Sequence, residues 1–301
     1  MSKNKIVGVI GLGMLGRGIV ERLLDCHTNM GIYSRNQSKV EEMRARGIRS
    51  FRSPRKLADE CDFVIICVTN YQSLKQVFFQ QDDGLAYSNN NGLVVSDFTT
   101  VKSSQSIQCS KLLKKKGVIL LSSPVMGGPK EARSGELVTM VSGDKKSFEE
   151  FFDIYNNISK KVFYLGKLNG TSNSVKLALN LNIAIITLAL CEGLVLANHM
   201  GIDSKTYLEI FNHTKFKTGI SESKGYKIIS GDYLPSFHLK NMLKDLNLIV
   251  DTGRSLNAFI PMTYLSQQLF QAAGNYDGNL NEKDYSSVYQ FLDALNHKAV
   301  E

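Results

Sequence analysis

From residue 5 to about 165, short apolar runs rich in β-branched residues alternate with stretches of helical spacing: KIVGVI, MGIYS, CDFVIICV, GLVVSD, GVILLS, ELVTMVSG and KVFYL. That alternation predicts a mostly parallel sheet flanked by helices. Beyond Gly166 the strand signal stops. The remaining pattern predicts one long helix over roughly 168–198 and further helices near 203–212, 237–253, 256–273 and 282–295. No internal repeat or disordered linker interrupts the chain, so the long helix itself is expected to join two domains, residues 1–166 and 167–301.

The first apolar run leads directly into GLGMLGRGIVERLL, which sets Gly11, Gly13 and Gly16 in G-x-G-x-x-G register at the start of a helix. Glycines there allow a tight turn, close approach of a pyrophosphate and close helix packing, and the helix amino terminus offers unpaired N–H groups. Following a strand and opening a βαβ unit, the turn from Gly11 through Leu12, Gly13, Met14 and Leu15 to Gly16 reads as a dinucleotide cradle. The fold class expected is therefore α/β: a Rossmann-type doubly wound, mostly parallel sheet followed by an all-α carboxy-terminal domain joined by a long helix. At the end of the second strand an NAD site usually places Asp or Glu, whereas this chain has Ser34, Arg35 and Asn36. A guanidinium suits a 2′-phosphate, so NADP(H) is the cofactor expected in preference to NAD(H). Val68 and Thr69, after the fourth strand, are expected over the same crevice.

Composition narrows the remaining classes. At 301 residues and 43% hydrophobic the chain can bury a substantial core. Cys26, Cys61, Cys67, Cys109 and Cys191 are scattered and form no C-x-x-C pair, which fits a reducing cytoplasm and no zinc site. His27, His199, His213, His238 and His297 form no spaced cluster, so no metal is expected. Lys3 and Lys5 before an apolar run imitate a secretory leader, but the glycines and the charges at Arg17, Glu21 and Arg22 read as strand and turn. The apolar stretch 181–197 contains Asn182, Thr187 and Glu192 and reads as a buried helix rather than a membrane span. A net charge of +8 without a basic-aromatic motif argues against nucleic acid and fits a small anionic or polar carbonyl or hydroxy compound.

Four spaced segments then carry a resemblance: Asp97-Phe98-Thr99-Thr100; PVMGGPKEARSGEL from Pro124 to Leu137; Gly170 followed by Lys176 and Asn180; and Lys244-Asp245-Leu246. Taken in order over nearly the whole chain, they resemble the β-hydroxyacid dehydrogenases, a family that includes 3-hydroxyisobutyrate dehydrogenase, tartronate semialdehyde reductase and the glyoxylate and succinic semialdehyde reductases. The resemblance implies that Lys176 is the acid–base residue and that Asn180 orients it or the substrate hydroxyl. It implies substrate contacts from Thr99, Met126, Gly127, Gly128, Phe237 and Asp245, the two glycines through their N–H groups. Thr100 would meet the nicotinamide or the substrate, and Lys244 the cofactor. Met126 stands where the family usually has a serine that helps hold a carboxylate, so the substrate tail is expected to be bulkier or to lack that contact.

On the largely apolar long helix, Ser172, Lys176, Asn180 and Thr187 share a face and make a narrow polar stripe. A lysine acts as an acid–base group near neutrality only if burial or positive charge lowers its pKa from about 10.4. The resulting expectation is an NADP(H)-dependent oxidoreductase interconverting a small β-hydroxy acid or related alcohol with its semialdehyde or ketone. The alternatives are reduction of another C=X bond such as an imine, and a non-catalytic dinucleotide-binding sensor or scaffold. The apolar face over 177–197 leads to a homodimer or homotetramer as the expected assembly.

Overall fold

The strands lie in two sheets of a computed structural model that describes residues 5–276 and 279–298; Lys3 and the side chain of His297 lie outside it. The larger sheet contains β1 (Val7–Ile10), β2 (Met30–Tyr33), β3 (Arg49–Ser50), β4 (Phe63–Ile66), β5 (Val94–Asp97) and β6 (Ile119–Ser122). Their order is β3-β2-β1-β4-β5-β6 and every pairing is parallel. Strand order reverses between β1 and β4, and in such sheets ligands bind beyond the carboxyl ends of the strands at that point. The register aligns Tyr33, Ile10, Ile66, Asp97 and Ser122 as the last row of the sheet.

The sheet is buried on both faces. Val9, Ile32, Phe63 and Ile65 pack into one apolar cluster, and Ile10, Val64, Ile66 and Val95 into another on the opposite side. That is why these runs are apolar throughout rather than alternating. Each fully buried side chain of this size contributes about 1.5–3 kcal/mol. The covering helices are α1 (Met14–Asp25), α2 (Gln37–Arg44), α3 (Pro54–Ala58), α4 (Tyr71–Phe79) and α5 (Ser103–Lys114).

ELVTMVSG and KVFYL do not extend this sheet. They form β8 (Leu137–Val141) and β9 (Ser159–Tyr164) of a second, three-stranded sheet whose other edge is β7 (Val125–Met126), antiparallel to β8. The helices α6 (Pro129–Ser134), α7 (Lys145–Glu150) and α8 (Phe152–Ile158) stand between its strands. The two-residue strands β3 and β7 are too short to leave a sequence signature.

The rest is helical: α9 (Thr171–His199), α10 (Ser204–His213), α11 (Gly219–Ile229), α12 (Leu239–Ser255), α13 (Pro261–Asn275) and α14 (Val288–Lys298). Several boundaries differ from those expected. The long helix starts at Thr171 because Gly170 takes φ +86°. The helix expected over 256–273 starts only at Pro261, after Asn257 at φ +53°, and the one expected from 282 is preceded by two short 3₁₀ turns. Helix α11 was not anticipated. Its GISESKGYKII carries two glycines and two serines, which blur the apolar period.

Contacts divide the chain into two compact units, residues 1–176 and 177–301, the division falling within α9. The reason is local: the first turn of α9 is bonded to the ends of β6 and β8. The second unit packs Leu177, Ala184, Leu188, Cys191 and Leu194 of α9 against Leu208, Met242, Leu246, Phe270 and Val288. Helix α9 has the length and apolarity of a membrane span, and 44% of its most apolar window is buried in the fold. Lys224 and Asp284 form a buried ion pair at 2.7 Å in this unit.

Candidate active site

Gly11 follows β1 at φ +98°, and a Cβ there would lie 2.2 Å from the Cys67 carbonyl oxygen. A Cβ on Gly16 would lie 1.9 Å from the Gly11 oxygen, so both positions require glycine. Gly13 is different: nothing stands within 4 Å of an added Cβ, and the residue caps the amino terminus of α1. Backbone there faces open space at the positive end of a 12-residue helix, which fits a pyrophosphate. Leu12 is buried, and Leu15 packs against the core beneath the turn. Met14 opens α1.

One cavity extends from this cradle to the end of β2. Gly11, Leu12, Gly13, Ser34, Arg35, Asn36, Val68 and Thr69 all line it, together with Tyr33, Lys39, Ser73 and Gln76. Asn36 caps α2 by accepting the Lys39 N–H at 3.1 Å, and its own N–H donates to Ser34 Oγ. The exposed Arg35 guanidinium donates to Gln76 Oε1 at 3.1 Å. Lys39 was missed by the sequence reading, although its place three residues after the Asn36 cap puts it in the first turn of α2, beside Arg35. Residues Ser34, Arg35, Asn36 and Lys39 would hold the ribose end of a dinucleotide.

At the end of β5, Asp97 is buried; its Oδ1 accepts the Thr99 N–H at 2.9 Å, while Oδ2 is buried without a partner. Burial raises the Asp97 carboxyl to about 7, against the lowering effect of the Thr99 hydrogen bonds. The Ser123 N–H donates to the Asp97 carbonyl, and the Tyr155 hydroxyl joins Ser96 Oγ at 2.7 Å and Ser123 Oγ at 3.0 Å. Burial pushes the Tyr155 phenol above its usual range. The loop carrying buried Thr99 and half-buried Thr100 is thereby fixed to β5 and β6.

Met126 ends β7, and Gly127 follows at φ +117°. Gly128 departs from expectation: its N–H donates to Glu131 Oε2 at 2.7 Å in a capping arrangement at the start of α6, so it is not free for a substrate. Lys176 comes to this loop from α9. Ser122 Oγ accepts the Gly170 N–H at 3.1 Å, Ser172 Oγ donates to the Ser122 carbonyl at 2.8 Å, and Ser172 Oγ pairs with Ser142 Oγ at 2.9 Å. One turn later the half-buried Lys176 donates from Nζ to Met126 Sδ at 3.3 Å.

Within the second unit, buried Asn180 donates from Nδ2 to Asp245 Oδ2 at 2.6 Å, and Lys244 Nζ donates to Asp245 Oδ1 at 2.6 Å. Asp245 therefore serves Asn180 and Lys244 with its two oxygens. Asn180 Oδ1 is buried without a partner. Phe237 donates its N–H to Asp284 at 3.4 Å and stands edge-on to Tyr285, the ring centroids 6.1 Å apart.

A glycine cradle at the switch point of a parallel sheet, followed by a helical unit, defines a dinucleotide-binding protein. Residues 6–166 match the family described as the NAD binding domain of 6-phosphogluconate dehydrogenase. Residues 170–292 match that described as the NAD-binding of NADP-dependent 3-hydroxyisobutyrate dehydrogenase. The chain belongs to the β-hydroxyacid dehydrogenases of the 3-hydroxyisobutyrate dehydrogenase type. It is 26% identical to glyoxylate/succinic semialdehyde reductase 2, chloroplastic, of Arabidopsis thaliana, over 96% of this chain and 79% of that one. It is 27% identical to cytokine-like nuclear factor N-PAC of Homo sapiens over 95% of this chain, and spans 51% of that protein's length. The crystal structure of 3-hydroxyisobutyrate dehydrogenase from Salmonella typhimurium superposes with a TM-score of 0.88 at 25% identity, covering 96% of this chain and all of that one.

Proposed function

We propose that this chain is an NADP(H)-dependent reductase interconverting a small β-hydroxy acid or related alcohol with its semialdehyde or ketone, with Lys176 as the general acid–base. The observation that carries this reading is the 3.3 Å contact between Lys176 Nζ and Met126 Sδ, which holds an amine at the loop ending in Gly127. A bound nicotinamide supplies or takes up the hydride. Lys176 gives a proton from Nζ to the carbonyl oxygen in reduction and takes it back from the hydroxyl in oxidation. Asn180, held by Asp245, orients the reacting oxygen. The preference for NADP(H) is supported by Arg35 and Lys39 at the cavity end beyond β2, where no carboxylate lines the wall. Assembly as a homodimer or homotetramer is supported by the exposed apolar run Leu256, Phe259, Met262 and Leu265, with Phe259 92% exposed.

The test is oxidation of NADPH and NADH with glyoxylate, succinic semialdehyde and a cyclic imine, by the wild type and Lys176→Ala. The reading requires turnover of a carbonyl compound with NADPH and a loss of about 10²-fold or more in the variant, with NADPH affinity kept within a few fold. Turnover of the imine alone, or equal rates in the two proteins, refutes it.

A further inference from the structure

Asn173 is 1% exposed, and neither its Nδ2 nor its Oδ1 has a hydrogen-bond partner. A buried carboxamide normally spends both ends within the fold. Its neighbours on α9 are bonded at least in part: Ser172 bonds the Ser122 carbonyl and Ser142, and Asn180 gives its Nδ2 to Asp245, leaving only Oδ1 unpaired. Asn173 precedes Lys176 by three residues, a spacing that puts the two Cβ atoms about 5–6 Å apart on one side of the helix. Lys176 in turn touches Met126, whose thioether cannot donate a hydrogen bond.

From this juxtaposition we propose that Asn173 is a substrate-binding and specificity-determining residue of this site, and that it selects carbonyl compounds bearing a hydroxyl beside the reacting carbon. The inference rests on the reading of Lys176 given above. A free donor and a free acceptor on one rigid amide are satisfied together by a group that both accepts and donates, which a hydroxyl does and a carboxylate or alkyl chain does not. A site built to bond a hydroxyl discriminates strongly against the analogue lacking it, because its own buried polar atoms are otherwise left unpaired.

The experiment compares wild type, Asn173→Ala and Asn173→Leu on substrate pairs differing by that hydroxyl: lactaldehyde against propanal, and glycolaldehyde against acetaldehyde, with NADPH. The expected result is a loss of about tenfold or more in kcat/KM on the hydroxylated member, carried mainly by KM, with the plain aldehyde changed less than about threefold. Equal losses on both members, or none, overturn the proposal. The same contrast is read without turnover from the rise in melting temperature that glycerate gives over 3-hydroxypropionate in the presence of NADPH. The variants are expected to abolish that difference, and its persistence overturns the proposal. Ligand-free Asn173→Leu is expected to melt no lower than wild type, since the substitution removes an unpaired buried amide. A clear fall would mean that the amide is bonded inside the fold, and refutes the proposal. Failure of the underlying reading is distinguishable: there, Lys176→Ala retains turnover whatever Asn173 does.

Discussion

Lys176 Nζ meets Met126 Sδ at 3.3 Å, an ammonium against a thioether. Sulfur of this kind is a weak acceptor and no donor, so residue 126 offers the substrate only a polarizable apolar surface. Met126→Ser replaces that surface with a hydroxyl. One added hydrogen bond is worth about 0.5–1.5 kcal/mol, so KM for glyoxylate or succinic semialdehyde is expected to fall about two- to tenfold, while KM for an alkyl-tailed aldehyde rises. Steady-state kinetics on both classes checks this. An unchanged ratio of the two would place residue 126 out of contact with substrate.

Arg35 and Lys39 are exposed cations on the wall that also carries Ser34 and Asn36. Arg35 is held by Gln76 at 3.1 Å, a neutral partner that a phosphate would outcompete. The double variant Arg35→Ala, Lys39→Ala is expected to weaken NADPH binding by about 10²-fold or more, at about 1.5–3 kcal/mol for each bond between charged groups, and NADH binding by less than about threefold. Titration of dihydronicotinamide fluorescence measures both. Equal weakening would mean that these cations contact a part common to the two cofactors.

The glycine cradle and the order of strand and helix were legible in the sequence because each has a local cause: a φ of +98° at Gly11, a carbonyl 2.2 Å from its missing Cβ, and runs buried on two faces. What was not legible depends on partners distant in the chain. Nothing in GGPKE says that Gly128 gives its N–H to Glu131, and nothing in the helix 171–199 says that Ser172 bonds Ser122 and Ser142. The second sheet escaped notice for a related reason. β8 and β9 have the same apolar character as the strands of the first sheet, and only their pairing separates them.

Ser172 shows how a small residue fixes a distant one. Its hydroxyl donates to the Ser122 carbonyl and pairs with Ser142 Oγ, while its N–H donates to Ser142 Oγ, all one turn before Lys176. Ser172→Ala removes the side-chain bonds and keeps the N–H bond. The expected cost is about 1–2 kcal/mol of unfolding free energy. Because the first turn of α9 loosens, kcat is expected to fall more than KM rises. Urea unfolding together with steady-state kinetics tests the pair of effects. A stability loss with unchanged kcat would confine Ser172 to holding the fold.

Asp97 is the buried carboxyl of the last row of the sheet, and its pH behaviour has an unusual sign. Its folded pKa is raised to about 7, with burial the main cause, above an unfolded value near 3.9. Below about pH 4 the group is protonated in both states and costs nothing. Between about 4 and 7 the native protein keeps a proton that the unfolded chain has released, so stability falls as pH rises, by up to about 1.4 kcal/mol per pH unit, and levels off above 7. Asp97→Asn keeps an oxygen to accept the Thr99 N–H and cannot ionise. The variant is therefore expected to gain stability over wild type at pH 8 by up to a few kcal/mol, and to show almost no difference at pH 4, as measured by urea midpoints across that range. A gain that does not depend on pH would mean that the charge is not what burial penalises. A loss at pH 8 would mean that the ionised carboxylate has a native partner.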